Sequence, residues 1–264
     1  MLVYDSHCHY DDEWFDEDRE KIIKEINDFG VKRIVNAGYD LKSSLFALDL
    51  SKKYDFVYCT MGISPNDLES TWEDTKKEID NYVNVLEKEI ISNKKIVAIG
   101  EIGLDYHYET NNKEIQKEAF KYQIEIANRF NLPIVIHTRE AIMDTIEMLK
   151  DNPVKNTGIF HCCPHNRELV KEALKLGYYI SFCGPVTFKN AKNANEIIEM
   201  VPDDRFVTET DSPYLSPEPK RGTRNDSRNI EYIIKKIAET KGKSVEEIEK
   251  LAWDNANRIY RIND

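Results

Sequence analysis

His7 and His9 stand two residues apart in Asp5-Ser6-His7-Cys8-His9. On an extended strand side chains alternate, so both imidazoles project to one side and can reach one ion. Four more groups of similar chemistry are spread along the chain: Glu101, His137, His161 and Asp211. Neutral imidazole and carboxylate suit Zn, Mn, Fe or Ni, and less selectively Mg. Six ligands exceed the three that the protein commonly supplies to a catalytic single-zinc site. They fit two ions about 3.5–4 Å apart that share a bridging group. Glu101, with two carboxylate oxygens, is the natural bridge. A histidine by itself is more often a hydrogen-bonded core or surface residue, and His107 in Tyr106-His107-Tyr108 reads that way. Cys162 and Cys163, beside His161, read as packing residues.

The elements that must position these groups show as a recurring pattern. Short apolar, β-branched runs alternate with longer stretches of helical period. Strands are expected over Leu2–Asp5, Arg33–Ala37, Phe56–Met61, Ile96–Gly100, Ile134–His137, Gly158–His161, Tyr178–Phe182 and Phe206–Glu209. Helical faces are carried by Ile22, Ile23, Ile26 and Phe29, by Ile115, Ala119, Tyr122 and Ile126, and by Ile142, Ile146 and Leu149. A helix is expected near Asn229–Thr240, and a last one opens at a Ser244/Glu247 capping box. Alternating strands and helices imply a parallel sheet buried on both faces. Eight such units in 264 residues predict one domain over residues 1–264, a (β/α)8 TIM-type barrel with an extra C-terminal helix. An open doubly wound sheet is the runner-up, but the Gly-rich phosphate loop it would carry after the first strand is missing. In a barrel the strand C-termini share one face, where the six ligands would converge.

The 37 basic and 48 acidic side chains leave a net charge of −11. Such a chain repels nucleic acid at long range, so a nucleic-acid substrate requires positive charge concentrated at the site. Five cysteines at irregular spacing read as reduced thiols of a cytoplasmic protein. The first residues show no basic stretch and no long apolar run, so neither a secretory signal nor a transmembrane helix is expected.

The chain resembles the TatD family of metal-dependent deoxyribonucleases, in the amidohydrolase-like barrel superfamily, over essentially its whole length. The resemblance rests on Asp5-Ser6-His7-Cys8-His9, Gly100-Glu101-Ile102-Gly103-Leu104-Asp105-Tyr106, Pro133-Ile134-Val135-Ile136-His137, Phe160-His161-Cys162 and Glu209-Thr210-Asp211-Ser212-Pro213-Tyr214-Leu215. It implies two divalent ions, Mg, Mn or Zn. His7, His9 and Asp211 would hold one, His137 and His161 the other, with Glu101 between them. Three departures stand out. Gly62-Ile63-Ser64-Pro65 replaces the usual Gly-Ile-His-Pro, Cys162-Cys163-Pro164-His165 replaces Cys-Phe-Ser-Gly, and Arg224-Asn225-Asp226-Ser227 replaces Arg-Asn-x-Pro. His165 could restore a lost contact, add a ligand, or simply start a helix.

The expected reaction is hydrolysis of DNA phosphodiesters from a free end, on single-stranded DNA or at an end. Glu101 and Asp211 are the catalytic residues, Asp211 accepting the water proton. Arg139, Arg221 and Arg224 are candidate phosphate contacts, Lys220 reads as a solvated charge, and Tyr10 and Tyr214 could stack on bases or pack. A monomer that meets no membrane is expected. Within hydrolases the alternative is deacylation of D-aminoacyl-tRNA, making tRNA the partner, or cleavage of another amide or ester. The alternative of another class is a non-catalytic nucleic-acid-binding barrel. Retention of all six ligands counts against it, because unpaired imidazoles and carboxylates are costly to keep in a mouth.

Overall fold

The computed structural model describes residues 3–90, 93–108 and 112–262. Among these residues eight strands, β1–β8, alternate with nine α-helices, α1–α9. The strands form one sheet in sequence order, β1 through β8. The fold is the (β/α)8 barrel expected, and the ninth helix is the extra C-terminal one. No helix of the described residues is long and apolar enough to cross a membrane.

By its internal contacts the chain resolves into two compact units. The first runs up to Asn36 and resumes over His161–Lys175 and from Tyr179 onward. It holds β1 (Val3–Cys8), α1 (Arg19–Phe29), β2 (Val31–Asn36), α6 (Arg167–Lys175), β7 (Tyr179–Phe182), α7 (Ala194–Met200), β8 (Phe206–Thr208), α8 (Ile230–Lys241) and α9 (Val245–Tyr260). β1 pairs in parallel with β2, and β7 with β8. The Thr208 hydroxyl donates to the Tyr4 carbonyl, joining β8 to β1. The Tyr4 ring meets Trp253 and Tyr260 of α9 at 5.6 and 6.3 Å, and the Tyr260 hydroxyl donates to the Ser6 carbonyl. Ser244 and Glu247 do form the reciprocal capping box that starts α9.

The second unit covers Ala37–Phe160 with Leu176–Tyr178. It holds α2 (Leu41–Lys53), β3 (Val57–Met61), α3 (Trp72–Glu89), β4 (Ile96–Asp105), α4 (Lys113–Phe130), β5 (Ile134–Arg139), α5 (Ile142–Asp151) and β6 (Gly158–Phe160). β3, β4, β5 and β6 pair in succession, all parallel. Two glutamines of α4 clamp backbone near the strand ends. Gln116 accepts from the Asp105 amide and donates to its carbonyl, and Gln123 does the same for Ile63. Two buried backbone residues thereby gain partners off the sheet ladder.

The element bounds differ from expectation in a few places. β4 runs five residues past Gly100, to Asp105, because pairing with β5 resumes at Ile102 after a register shift across Gly100 and Glu101. β6 and β8 stop at Phe160 and Thr208, leaving His161 and Glu209 in the following loops. Leu2 lies outside the described residues. Phe29, assigned to the buried face of α1, is 43% exposed at the helix end.

Candidate metal centre

In the first unit, His7 lies in β1 and His9 one residue beyond it. Cys8, between them, turns the other way and its thiol donates to the Val35 carbonyl of β2. The two histidines therefore share a side, and their Nε2 atoms stand 3.0 Å apart. The loop after β8 is zipped onto this segment: the Asp211 amide donates to the His7 carbonyl, and the His9 amide to that of Ser212. Asp211 itself takes a left-handed backbone conformation, φ 56°. Its Oδ1 comes to 3.6 Å from His7 Nε2 and 3.4 Å from His9 Nε2. Burial opposes ionisation of Asp211, but the hydrogen bond from His9 and the nearby imidazoles hold its carboxyl below the ordinary range. His161, just past β6, stacks on His7 with ring centroids 4.1 Å apart, and its Nδ1 lies 3.4 Å from Glu209 Oε1.

These donors fit a metal. Ligands about 2.0–2.1 Å from one tetrahedral ion lie about 3.4 Å from each other, close to the 3.0–3.6 Å spacing of the two Nε2 atoms and Oδ1. Carboxylates that the sequence reading left unassigned hold this arrangement. Asp5, fully buried, accepts from the Thr210 amide and hydroxyl and from the Ser227 hydroxyl. Burial pushes its pKa up to about 7 despite those bonds. Glu209 accepts from the Cys162 amide and the Ser181 hydroxyl. Asn225 donates to the carbonyls of Thr210 and Tyr214, stapling the Asp211 loop.

In the second unit, Glu101 lies within β4 and His137 within β5. His137 Nδ1 is 2.9 Å from Glu101 Oε1, and its Nε2 is 2.9 Å from Asp105 Oδ2. A carboxylate thus holds each ring nitrogen. Asp105 also accepts from the Asn66 side chain and the His107 amide. Burial works against its ionisation, yet the bonds from His137, Asn66 and His107 prevail and bring its pKa down to about 2. Such a carboxylate behind an imidazole fixes ring orientation, so that Nδ1, on the Glu101 side, is the nitrogen that could face a metal. Gly103, with φ 147°, pairs with His137 in register; a Cβ there would fall 2.0 Å from the His137 carbonyl oxygen. Only glycine lets the two strands approach this closely.

His107 Nδ1 lies 2.7 Å from Glu140, at the surface. Ser64 is buried and donates to Asp67. His165 is half-buried and lines a cleft of about 180 Å³ with Cys162, Cys163, Pro164, Cys183 and Pro185. Burial lowers its pKa. Arg139 is exposed with its guanidinium 5.7 Å over the Tyr108 ring, and Arg221 is exposed over Phe188 at 4.3 Å. Lys220 is exposed as well. Arg224 makes a two-pronged ion pair with Asp18, so its charge is committed within the protein. Tyr10 is a packing residue, fully buried with its hydroxyl on Ser227, whereas Tyr214 is 45% exposed. The signal that could have found Asp5, Asp105 and Glu209 is a carboxylate set in an apolar run, since buried charges are kept where they are partnered.

Residues 4–261 match the family described as TatD related DNase. The chain is 40% identical to the metal-dependent hydrolase YabD of Bacillus subtilis, over 99% of this chain and 100% of that one. It is 34% identical to the metal-dependent hydrolase YcfH of Escherichia coli K12, over 100% and 97%. Its structure superposes on that of YJJV, a TatD homologue from Escherichia coli K12, with a TM-score of 0.91 and 24% identity, covering 99% of this chain and 98% of the other.

Proposed function

Because this chain belongs to the TatD family of metal-dependent hydrolases, we propose that it hydrolyses DNA phosphodiesters, acting on single strands from a free end. The observation that carries this reading is the convergence of His7, His9 and Asp211 donor atoms within 3.0–3.6 Å of one another. A parallel barrel gathers its strand C-termini on one face, and every candidate ligand stands at or just beyond the C-terminal half of a strand. His7, His9 and Asp211 would hold one divalent ion, His137 and His161 a second, and Glu101 would bridge the pair. Two such ions, Mg, Mn or Zn, supply an activated water and neutralise charge on the phosphate oxygens.

The remaining work falls to the protein's own groups. Asp211, kept ionised by its histidine neighbours, accepts the proton of the attacking water. Asp105 holds the His137 ring in one orientation. Arg139 and Arg221, exposed on loops or strand ends, bind phosphates flanking the scissile one. Their local charge offsets the acidic balance of the whole chain. Five free cysteines suit a reducing, cytoplasmic setting.

The test is to strip the protein of metal, reload it separately with Mg, Mn and Zn, and incubate each form with end-labelled single-stranded DNA. Nucleotide release that needs metal and disappears in Glu101→Gln supports the reading. Glu101→Gln is expected to keep the wild-type circular dichroism and melting temperature while losing turnover, because a neutral amide bridges two cations poorly. No release with any metal overturns the nuclease, and free amino acid from charged tRNA would assign deacylation instead.

A further inference from the structure

The segment after β1 carries an aromatic pair that the hydrolytic chemistry does not use. Residues Glu13–Phe15 form a short 3-10 turn. Phe15 points inward, fully buried, with its ring 4.7 Å from that of Tyr10. Trp14 points outward and is 54% exposed. Its ring lies 6.3 Å from that of Tyr214, itself 45% exposed, with the two planes at 55°. The Tyr214 ring in turn lies 6.2 Å from His9. Two large flat faces therefore open to solvent beside the first ligand group.

The Trp14 backbone and the Tyr214 ring are held in place before any ligand arrives. Asp12 accepts from the Trp14 amide at 2.8 Å and also from the Tyr214 hydroxyl. Arg224 donates to the Trp14 carbonyl at 2.6 Å while its other bonds grip Asp18. The Arg224 guanidinium sits 4.9 Å over the Phe15 ring. One carboxylate and one guanidinium thus fix the backbone of Trp14 from both sides, and binding need not order it. The aspartates of this segment have partners of their own: Asp11 takes Asn36, Asp16 takes Arg19 and Asp18 takes Arg224, while Glu13 and Glu17 are exposed. The segment offers a ligand aromatic faces in an acidic setting.

We propose that Trp14 and Tyr214 form a stacking platform for a nucleobase of single-stranded nucleic acid, next to the phosphate bound at the His7–His9–Asp211 group. This rests on the hydrolysis of nucleic acid argued above. Stacking suits a substrate met in any sequence, because every base presents a π-face. The acidic surroundings favour the uncharged base here and direct the phosphates toward the arginines.

The experiment uses the metal-loaded full chain and a phosphorothioate-linked oligothymidylate that resists hydrolysis, with Trp emission as the readout. The expected result is quenching by the oligonucleotide and none by an abasic strand of equal length. Trp14→Ala should weaken binding about tenfold. Trp14→Phe should retain binding, measured by competition, while removing the quench that Trp72 and Trp253 cannot report. Equal binding of the abasic strand, unchanged binding by Trp14→Ala, or quenching by tetramethylammonium in place of the oligonucleotide would overturn the platform. Quenching by the resistant strand with no cleavage of unmodified single-stranded DNA keeps the platform and removes the nuclease; cleavage of unmodified DNA with no response at Trp14 does the reverse.

Discussion

His137 has a carboxylate on each ring nitrogen, and the two carboxylates have different duties. Glu101, on Nδ1, belongs to the proposed ligand group, while Asp105, on Nε2, is braced by Asn66 and the His107 amide. Replacing Asp105 with Asn removes the charge that orients the ring but keeps its size. Metal affinity, measured by competition with a chromophoric chelator, should fall about 10–100-fold. Wild-type affinity would show that Asp105 does not support the ligand. The candidate ligands were legible as candidates because histidines and carboxylates recurred at the ends of apolar runs. Asp105, Asp5 and Glu209 show only as carboxylates set in apolar runs; their supporting role is defined by what they accept from, and spacing does not record that. Arg224 shows the same limit: a loop arginine reads as a phosphate contact until Asp18 is seen to hold it.

At the scale of elements, the alternation of strands and helices was legible throughout, and the ends were less so. β4 outran its apolar run because the pairing with β5 continues through Gly103 and Asp105. β6 and β8 stopped early where polar groups turn into the site. The start of α9 was the clearest boundary, since Ser244 and Glu247 bond reciprocally. Ser244→Ala should therefore cost about 1 kcal/mol, read as a lower urea midpoint with an unchanged slope. A midpoint equal to wild type would mean that the cap contributes nothing to global stability. The short turn that presents Trp14 went unread, because three residues carry no period.

For the whole molecule, a net charge of −11 makes any polynucleotide binding depend on a few exposed cations. Arg221, exposed and resting on Phe188, is proposed as one of them. Arg221→Ala should weaken single-stranded DNA binding and reduce the slope of log affinity against log salt by about 0.7. An unchanged slope across several salt concentrations would remove Arg221 from the interface. The five thiols carry a further consequence. Cys8, Cys59, Cys163 and Cys183 are buried, and burial raises the pKa of each, to about 12 for Cys59. Cys162 alone is partly open to solvent, at the residue after His161. The folded protein should then behave as a single-cysteine protein toward a maleimide, gaining one label by mass where the unfolded chain gains five. A fluorophore attached there would sit beside His161, a candidate ligand, and could report metal loading without any substrate.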